Sequence, residues 1–162
     1  MTEKTEIIEL EEAHLPEFFR LFGNYRVSLG LKSNHPAEKR FLSKRFHENE
    51  FHVLLATVLF NSGIIEYTEY AGFAILYPFY STIQLKKIWL LNDIYVEKKY
   101  RHQGIGTKLL ESCISLSEKT DTCGLVLETL IESFGAKKLV EKRGLVKDNY
   151  TFGYYREKQK KK

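Results

Sequence analysis

Apolar residues recur along this chain with two different periods, and each change of period marks a boundary between elements. IIEL (residues 7–10) reads as a first strand. Pro16 then stands where an early helical position tolerates it, and Phe18, Phe19, Leu21, Phe22 and Tyr25 follow at helical spacing. NHPAEKRFLSKRF predicts a second helix, with Asn34 as its cap, Pro36 in its first turn, and Phe41, Leu42 and Phe46 on one face. Two strand-like runs, FHVLLATVLF and YAGFAILYPFY, flank the turn signal NSG (residues 61–63), and IIEYTE extends one of them. KIWLLNDIYV (residues 87–96) is a further strand, rich in aromatic and branched residues. Leu109, Leu110, Cys113, Ile114 and Leu116 mark an amphipathic helix beyond it. GLVLETL (residues 124–130) reads as a buried strand, SFGAKKLVEKRGL as a short helix stopped by Gly144, and YTFGYY (residues 150–155) as a last strand.

This order predicts an α/β (α+β) fold in which a mixed, mostly antiparallel sheet carries helices on its faces. The strand–helix–strand passage between residues 88 and 130 implies a parallel crossover. Alternation along residues 87–96 puts Leu91, Asp93 and Tyr95 on one face of the sheet and Asn92 on the other. No repeat or linker divides the 162 residues, so one domain is expected over residues 1–157, with a basic tail at 158–162.

Composition adjusts the picture only slightly. The net charge is +4, but REKQKKK (residues 156–162) holds five basic residues against Glu157, so the rest of the chain is neutral. A neutral body argues against a nucleic-acid partner. No apolar run is long enough to span a membrane, and the acidic, amphipathic start has no apolar signal core. Cys113 and Cys123 form no metal or disulfide pattern, which favours a reducing, cytoplasmic setting. The five histidines show no paired-ligand spacing, so no metal site is expected.

The chemistry concentrates in YRHQGIGTKLL, a turn between a strand and a helix. Unpaired N–H groups at a helix start, together with the helix dipole, favour an anion there. Gly104 and Gly106 let the backbone approach a ligand, and Arg101 adds a charged donor. Neither a Walker loop nor the dinucleotide fingerprint fits, since Leu109 stands where the third glycine would be. On the glycines alone, a plain tight turn is an equal alternative.

With LLNDIYVEKK before it, this stretch resembles the R/Q-x-x-G-x-G/A motif of the GNAT superfamily of acyl-CoA N-acyltransferases. A second region, LETLIESFGAKKLVEKRGL, is similar to the later motif of that superfamily at Glu128, Thr129, Ala136, Leu139, Glu141 and Gly144. The resemblance implies a GNAT-like fold with a parallel, splayed strand pair, acetyl-CoA (coenzyme A) as cofactor, and a homodimer, for which the apolar aromatics of YTFGYY offer an edge. It implies that Arg101, His102, Gln103, Gly104, Ile105, Gly106 and Thr107 wrap the pyrophosphate. Ile94 and Val96 then meet the pantetheine arm, and Ser133 stands where the family's cofactor-contacting asparagine would. LYPFYSTIQLKKIWLLNDIYV is similar to the diamine (spermidine/spermine) acetyltransferase group, although Asn92 replaces one of that group's two acidic residues.

The implied reaction moves an acetyl group to a primary amine. A protonated amine cannot attack, so a base must take its proton. Asp93, a carboxylate in an apolar strand, is the candidate for proton acceptor and amine binder. Tyr80 and Glu128 are further candidates for contact with the acceptor, and Tyr77 and Ser81 could also line that cleft. Val140 falls where the family's thiolate-protonating tyrosine would stand, so protonation of the thiolate is either unnecessary or done by another tyrosine, such as Tyr95, Tyr150 or Tyr154. The expected acceptor is a small amine, polyamine or amino-acid-like. The alternatives are a protein lysine or N-terminus, or a coenzyme-binding protein without transfer activity.

Overall fold

The computed structural model describes residues 2–127 and 140–146. The chain divides into two compact units, Met1–Leu130 and Ile131–Lys162. In the first unit the elements run β1 (Thr2–Glu9), α1 (Leu15–Ser28), α2 (His35–His47), β2 (His52–Asn61), β3 (Glu66–Ser81), β4 (Lys86–Val96), α3 (Ile105–Lys119) and β5 (Thr122–Leu127). The five strands lie side by side in chain order. All neighbours are antiparallel except β4 and β5, which α3 joins as a parallel crossover. The expected mixed, mostly antiparallel α+β fold is therefore present.

Local chemistry explains the helices. Pro16 sits in the first turn of α1, where its missing N–H costs nothing. The Asn34 side chain accepts the Ala37 N–H and caps α2. Glu38 is buried there and accepts from the Asn34 N–H at 2.8 Å and the Ser33 hydroxyl at 3.0 Å, with Arg26 Nε 3.0 Å away. Phe41 departs from expectation. It is 48% exposed, with the Arg45 guanidinium over its ring, while Leu42 is fully buried. Consecutive helical residues point about 100° apart, so Leu42 and Phe46, four apart, share the inner face without Phe41.

One core lies between α1, α2 and the sheet. Phe18, Leu21, Leu42, Leu55, Phe73 and Ile75 form its centre, with Phe18 edge-on to Phe73 at 5.4 Å. The alternate strand positions, among them Leu54, Ala74, Leu76 and Leu91, are also buried and lie on the opposite face. That face takes α3, whose Ile105, Leu109, Leu110 and Cys113 are inaccessible to solvent.

Two bulges interrupt the antiparallel ladders. Ala56 pairs with Gly72 and Thr57 with Tyr70, which leaves Ala71 as an extra residue in β3. Ile75 pairs with Asp93 and Leu76 with Leu91, which leaves Asn92 as an extra residue in β4. In the second unit, Gly144 takes φ +84°. Its N–H bonds to the Glu141 carbonyl and the Leu145 N–H to the Val140 carbonyl, the Schellman stop expected of this glycine. Residues 150–155, expected as a last strand, lie outside the described residues, as does most of the expected short helix.

Candidate active site

The Asn92 bulge decides which side chains of β4 meet. Strict alternation would put Leu91, Asp93 and Tyr95 on one face. The extra residue breaks that phase, because Leu91 pairs with Leu76 and Asp93 with Ile75, and adjacent residues of β3 point to opposite faces. Leu91 therefore faces α3 together with Trp89, whose indole N–H donates to Thr120 Oγ1 at 3.0 Å. Asp93 and Tyr95 face α1. Among the described residues β4 pairs with β5 as far as Leu91 with Leu127, the last residue described on that strand.

Asp93 is half-buried in the wall so formed. Its Oδ1 accepts the Tyr25 hydroxyl at 2.7 Å and its Oδ2 accepts the Asn92 amide at 2.9 Å. Burial, reinforced by the hydrogen bond to Asp93 and its charge, holds the Tyr25 phenol far above the usual tyrosine range. Burial also raises Tyr77, again with help from the Asp93 charge and against the opposing pull of Arg45. A carboxylate thus sits among phenols that stay protonated at neutral pH.

Tyr95 has a different partner. Its ring packs 5.6 Å from Tyr25 and 5.8 Å from Phe73, and its hydroxyl donates to Glu97 Oε2 at 3.2 Å. The other Glu97 oxygen accepts from Arg20 at 2.9 Å and Asn24 at 2.6 Å, while Arg20 also reaches the Tyr70 carbonyl. This knot ties the end of β4 to α1 and the Ala71 bulge region, where the Glu97 N–H bonds to the Ala71 carbonyl at 2.8 Å.

The glycine turn follows directly. Lys99 and the Tyr100 hydroxyl both donate to the Glu69 carboxylate, which anchors the chain before the turn. Arg101 Nε donates to the Val96 carbonyl at 2.9 Å, and Gln103 donates to the Lys99 carbonyl at 3.0 Å. His102 and Gly104 both adopt left-handed backbone, φ +62° and +78°. Gly104 caps α3, and the Lys108 N–H bonds to its carbonyl, so the N–H groups of Ile105, Gly106 and Thr107 lie ahead of the helical ladder. A Cβ at Gly104 would meet nothing within 4 Å, so open space faces this point of the turn. The buried Ile105 side chain pins the helix start beneath it.

The structure thus gathers Asp93, Ile94, Tyr95, Val96 and residues 101–107 along one edge of β4 and the start of α3. It does not bring Tyr80 to Asp93. Tyr80 is 69% exposed, five residues beyond the partner of Asp93 (roughly 17 Å of strand) and on the other face of the sheet. Glu128, Ser133, Tyr150 and Tyr154 lie outside the described residues, and Val140 belongs to the second unit. Sequence reasoning missed Tyr25 as a partner of Asp93, because its helical spacing marks it only as a core aromatic. It also missed the Arg20–Asn24–Glu97 knot, in which polar residues of α1 meet a carboxylate more than 70 positions away.

A mixed sheet whose fourth strand runs into a strand-to-helix glycine turn with free N–H groups is a frame for holding a phosphate-bearing acyl donor against that strand. Residues 13–145 match the family model described as Acetyltransferase (GNAT) family, and the chain belongs to that family as an N-acetyltransferase enzyme. Acetyltransferases of this family generally use acetyl-CoA. The chain is 30% identical over 128 residues to an uncharacterized N-acetyltransferase, YhfO, of Bacillus subtilis, a match covering 79% of this chain and 80% of that one. It is 33% identical over 98 residues to the thialysine N-epsilon-acetyltransferase of Mus musculus, covering 60% of this chain and 52% of the relative. The solved structure of a probable acetyltransferase superposes with a TM-score of 0.86 at 28% identity, covering 96% of this chain and 99% of its own. Among the described residues, no helix is long and apolar enough to cross a membrane.

Proposed function

We propose that this enzyme moves the acetyl group of acetyl-CoA to a primary amine of a small molecule, polyamine or amino-acid-like, and that Asp93 receives the amine. The observation that carries this is the Asn92 bulge, which turns a half-buried carboxylate toward α1 on the strand that leads into the glycine turn. Asp93 binds the incoming ammonium and takes its proton, directly or through water, so that the nitrogen lone pair is free to attack.

The residues present fit the coenzyme. The left-handed Gly104, the open space before it and the leading N–H groups of α3 suit a pyrophosphate held by residues 101–107. Main-chain groups at Ile94 and Val96 suit a pantetheine arm laid along β4, once Arg101 releases the Val96 carbonyl. When bound, the coenzyme supplies the thioester carbonyl as the electrophile. Tyr95 is proposed as an anchor of the strand end, because its hydroxyl is committed to Glu97.

The relative named for thialysine N-epsilon-acetylation supports an amine on a side chain as acceptor. The family match spans residues of both compact units, which supports a single catalytic domain through residue 157. A cytoplasmic homodimer completes the proposal. The unpaired Cys113 and Cys123 support a reducing compartment. Gel filtration tests the dimer.

The functional test is thiol release from acetyl-CoA across polyamines, amino acids and lysine peptides. The expected result is release dependent on a small amine and lost in Asp93→Asn. Turnover restricted to peptides would replace the small-molecule reading with a protein acceptor. Coenzyme binding without release by any acceptor would refute transfer to these amines.

A further inference from the structure

Both oxygens of Asp93 are already engaged, and only one of the two donors comes from its own strand. Asn92, the bulge residue, donates to Oδ2, and Tyr25, from the last turns of α1, donates to Oδ1 at 2.7 Å. The Tyr25 ring is itself fixed, edge-on to Phe73 at 5.7 Å and to Phe22 at 6.0 Å. The next residue, Arg26, is held against the buried Glu38 of α2. Tyr25 is therefore a clamped donor aimed at a carboxylate 68 positions away. A carboxylate oxygen has two lone-pair sites, so each oxygen of Asp93 keeps one for an incoming ammonium.

We infer that Tyr25 is a positioning residue for the proposed amine site, fixing the rotamer of Asp93 through a donated hydrogen bond. This rests on the assignment of Asp93 as the amine's acceptor. The groups facing Asp93 from each packed element are Tyr25 on α1, Tyr77 on β3, with Arg45 of α2 close enough to act on Tyr77, and Asn92 and Tyr95 on β4. Tyr25 alone among these combines a hydrogen bond to the carboxylate with an origin on another element.

The variant Tyr25→Phe keeps the ring and deletes only the hydroxyl. With the best amine of the thiol-release panel, kcat/KM for the amine is expected to fall about tenfold while KM for acetyl-CoA stays unchanged. The same change in an Asp93→Asn background should add little, since the two groups act as one unit. An unchanged kcat/KM for the amine in Tyr25→Phe, or losses that simply add in the double variant, would overturn the inference. Full activity in Asp93→Asn would instead overturn the assignment of Asp93. Tyrosine 13Cζ NMR probes the contact without turnover. The resonance absent from Tyr25→Phe should shift when Asp93→Asn removes the charge that its hydroxyl faces. An unmoved Tyr25 resonance in Asp93→Asn would also refute the coupling.

Discussion

Gly72 is the residue whose replacement most directly tests how β3 and β4 are held together at the proposed coenzyme edge. It pairs with Ala56 on one side and Val96 on the other, next to the Ala71 bulge. An alanine there would set its Cβ 2.3 Å from the Tyr95 carbonyl oxygen, 3.1 Å from Val96 Cα and 3.3 Å from the Tyr95 carbonyl carbon. Close carbon–oxygen approaches bottom out at about 3.3 Å, so the overlap is about 1 Å. The obstacle is backbone, which cannot rotate away as a side-chain tip would. Overpacking of this kind costs about 1–3 kcal/mol, and a rigid neighbour on each side places Gly72→Ala near the top, at about 3 kcal/mol. For a chain of this size that is a fall in Tm of roughly 6–12 °C, read by circular dichroism. Gly63→Ala is the comparison. Gly63 has φ +82° and open space around it, so its alanine meets only the left-handed penalty of about 1–2 kcal/mol. Because any relief must push Tyr95 and Val96 outward, the Gly72 variant should also lose coenzyme affinity. A Gly72→Ala protein melting within about 2 °C of wild type, or above Gly63→Ala, would refute this account of the close approach.

Two further outcomes follow from buried titratable groups. Burial holds His52 below the usual histidine range, against the pull of Glu9 and with the help of Lys87. The unfolded chain takes up that proton near pH 6.5 and the folded chain only at lower pH, so stability is full above about 6.5 and declines as pH falls toward the folded value. Melting curves between pH 5 and 7.5 should show this decline, and His52→Gln should flatten it. Burial pushes the Cys113 thiol up to about 12, while Cys123 is exposed. Iodoacetamide should therefore label Cys123 quickly in the native protein and Cys113 only after denaturation, as read by peptide mass spectrometry; fast labelling of native Cys113 would contradict its burial.

Features set by local chemistry were legible in the sequence. Pro16 and Asn34 open their helices, Gly144 closes its own, and the glycine turn falls between β4 and α3 as its residues imply. The first strand was underestimated. The sequence suggests residues 7–10, whereas β1 runs Thr2–Glu9, because TEKTE carries almost no apolar signal and is recruited by backbone pairing with β2. A polar edge strand of this type is visible only once its partner is placed. The face of Asp93 was equally out of reach. Alternation counted from Leu91 gives the wrong phase relation, since the extra residue at Asn92 is a property of two strands in register. Tyr25 read correctly as an inward aromatic, but its hydroxyl partner comes from a strand that no local rule connects to α1. Gly72 gave no signal at all, since its neighbour is the backbone of another strand.

The bulge at Asn92 also divides β4 into two stretches that answer to different requirements. Residues before it serve the packing of α3, through Trp89 and Leu91, while those after it serve the opposite face, through Asp93 and Tyr95. Substitutions on one side can accumulate without changing which way the other side points. Length is the quantity that cannot drift. Loss of Asn92 alone would restore an unbroken pleat and force one stretch to turn over, sending either Trp89 and Leu91 away from α3 or Asp93 away from Tyr25. A deletion that leaves the composition almost untouched would thereby set the protein's solubility and its chemistry against each other.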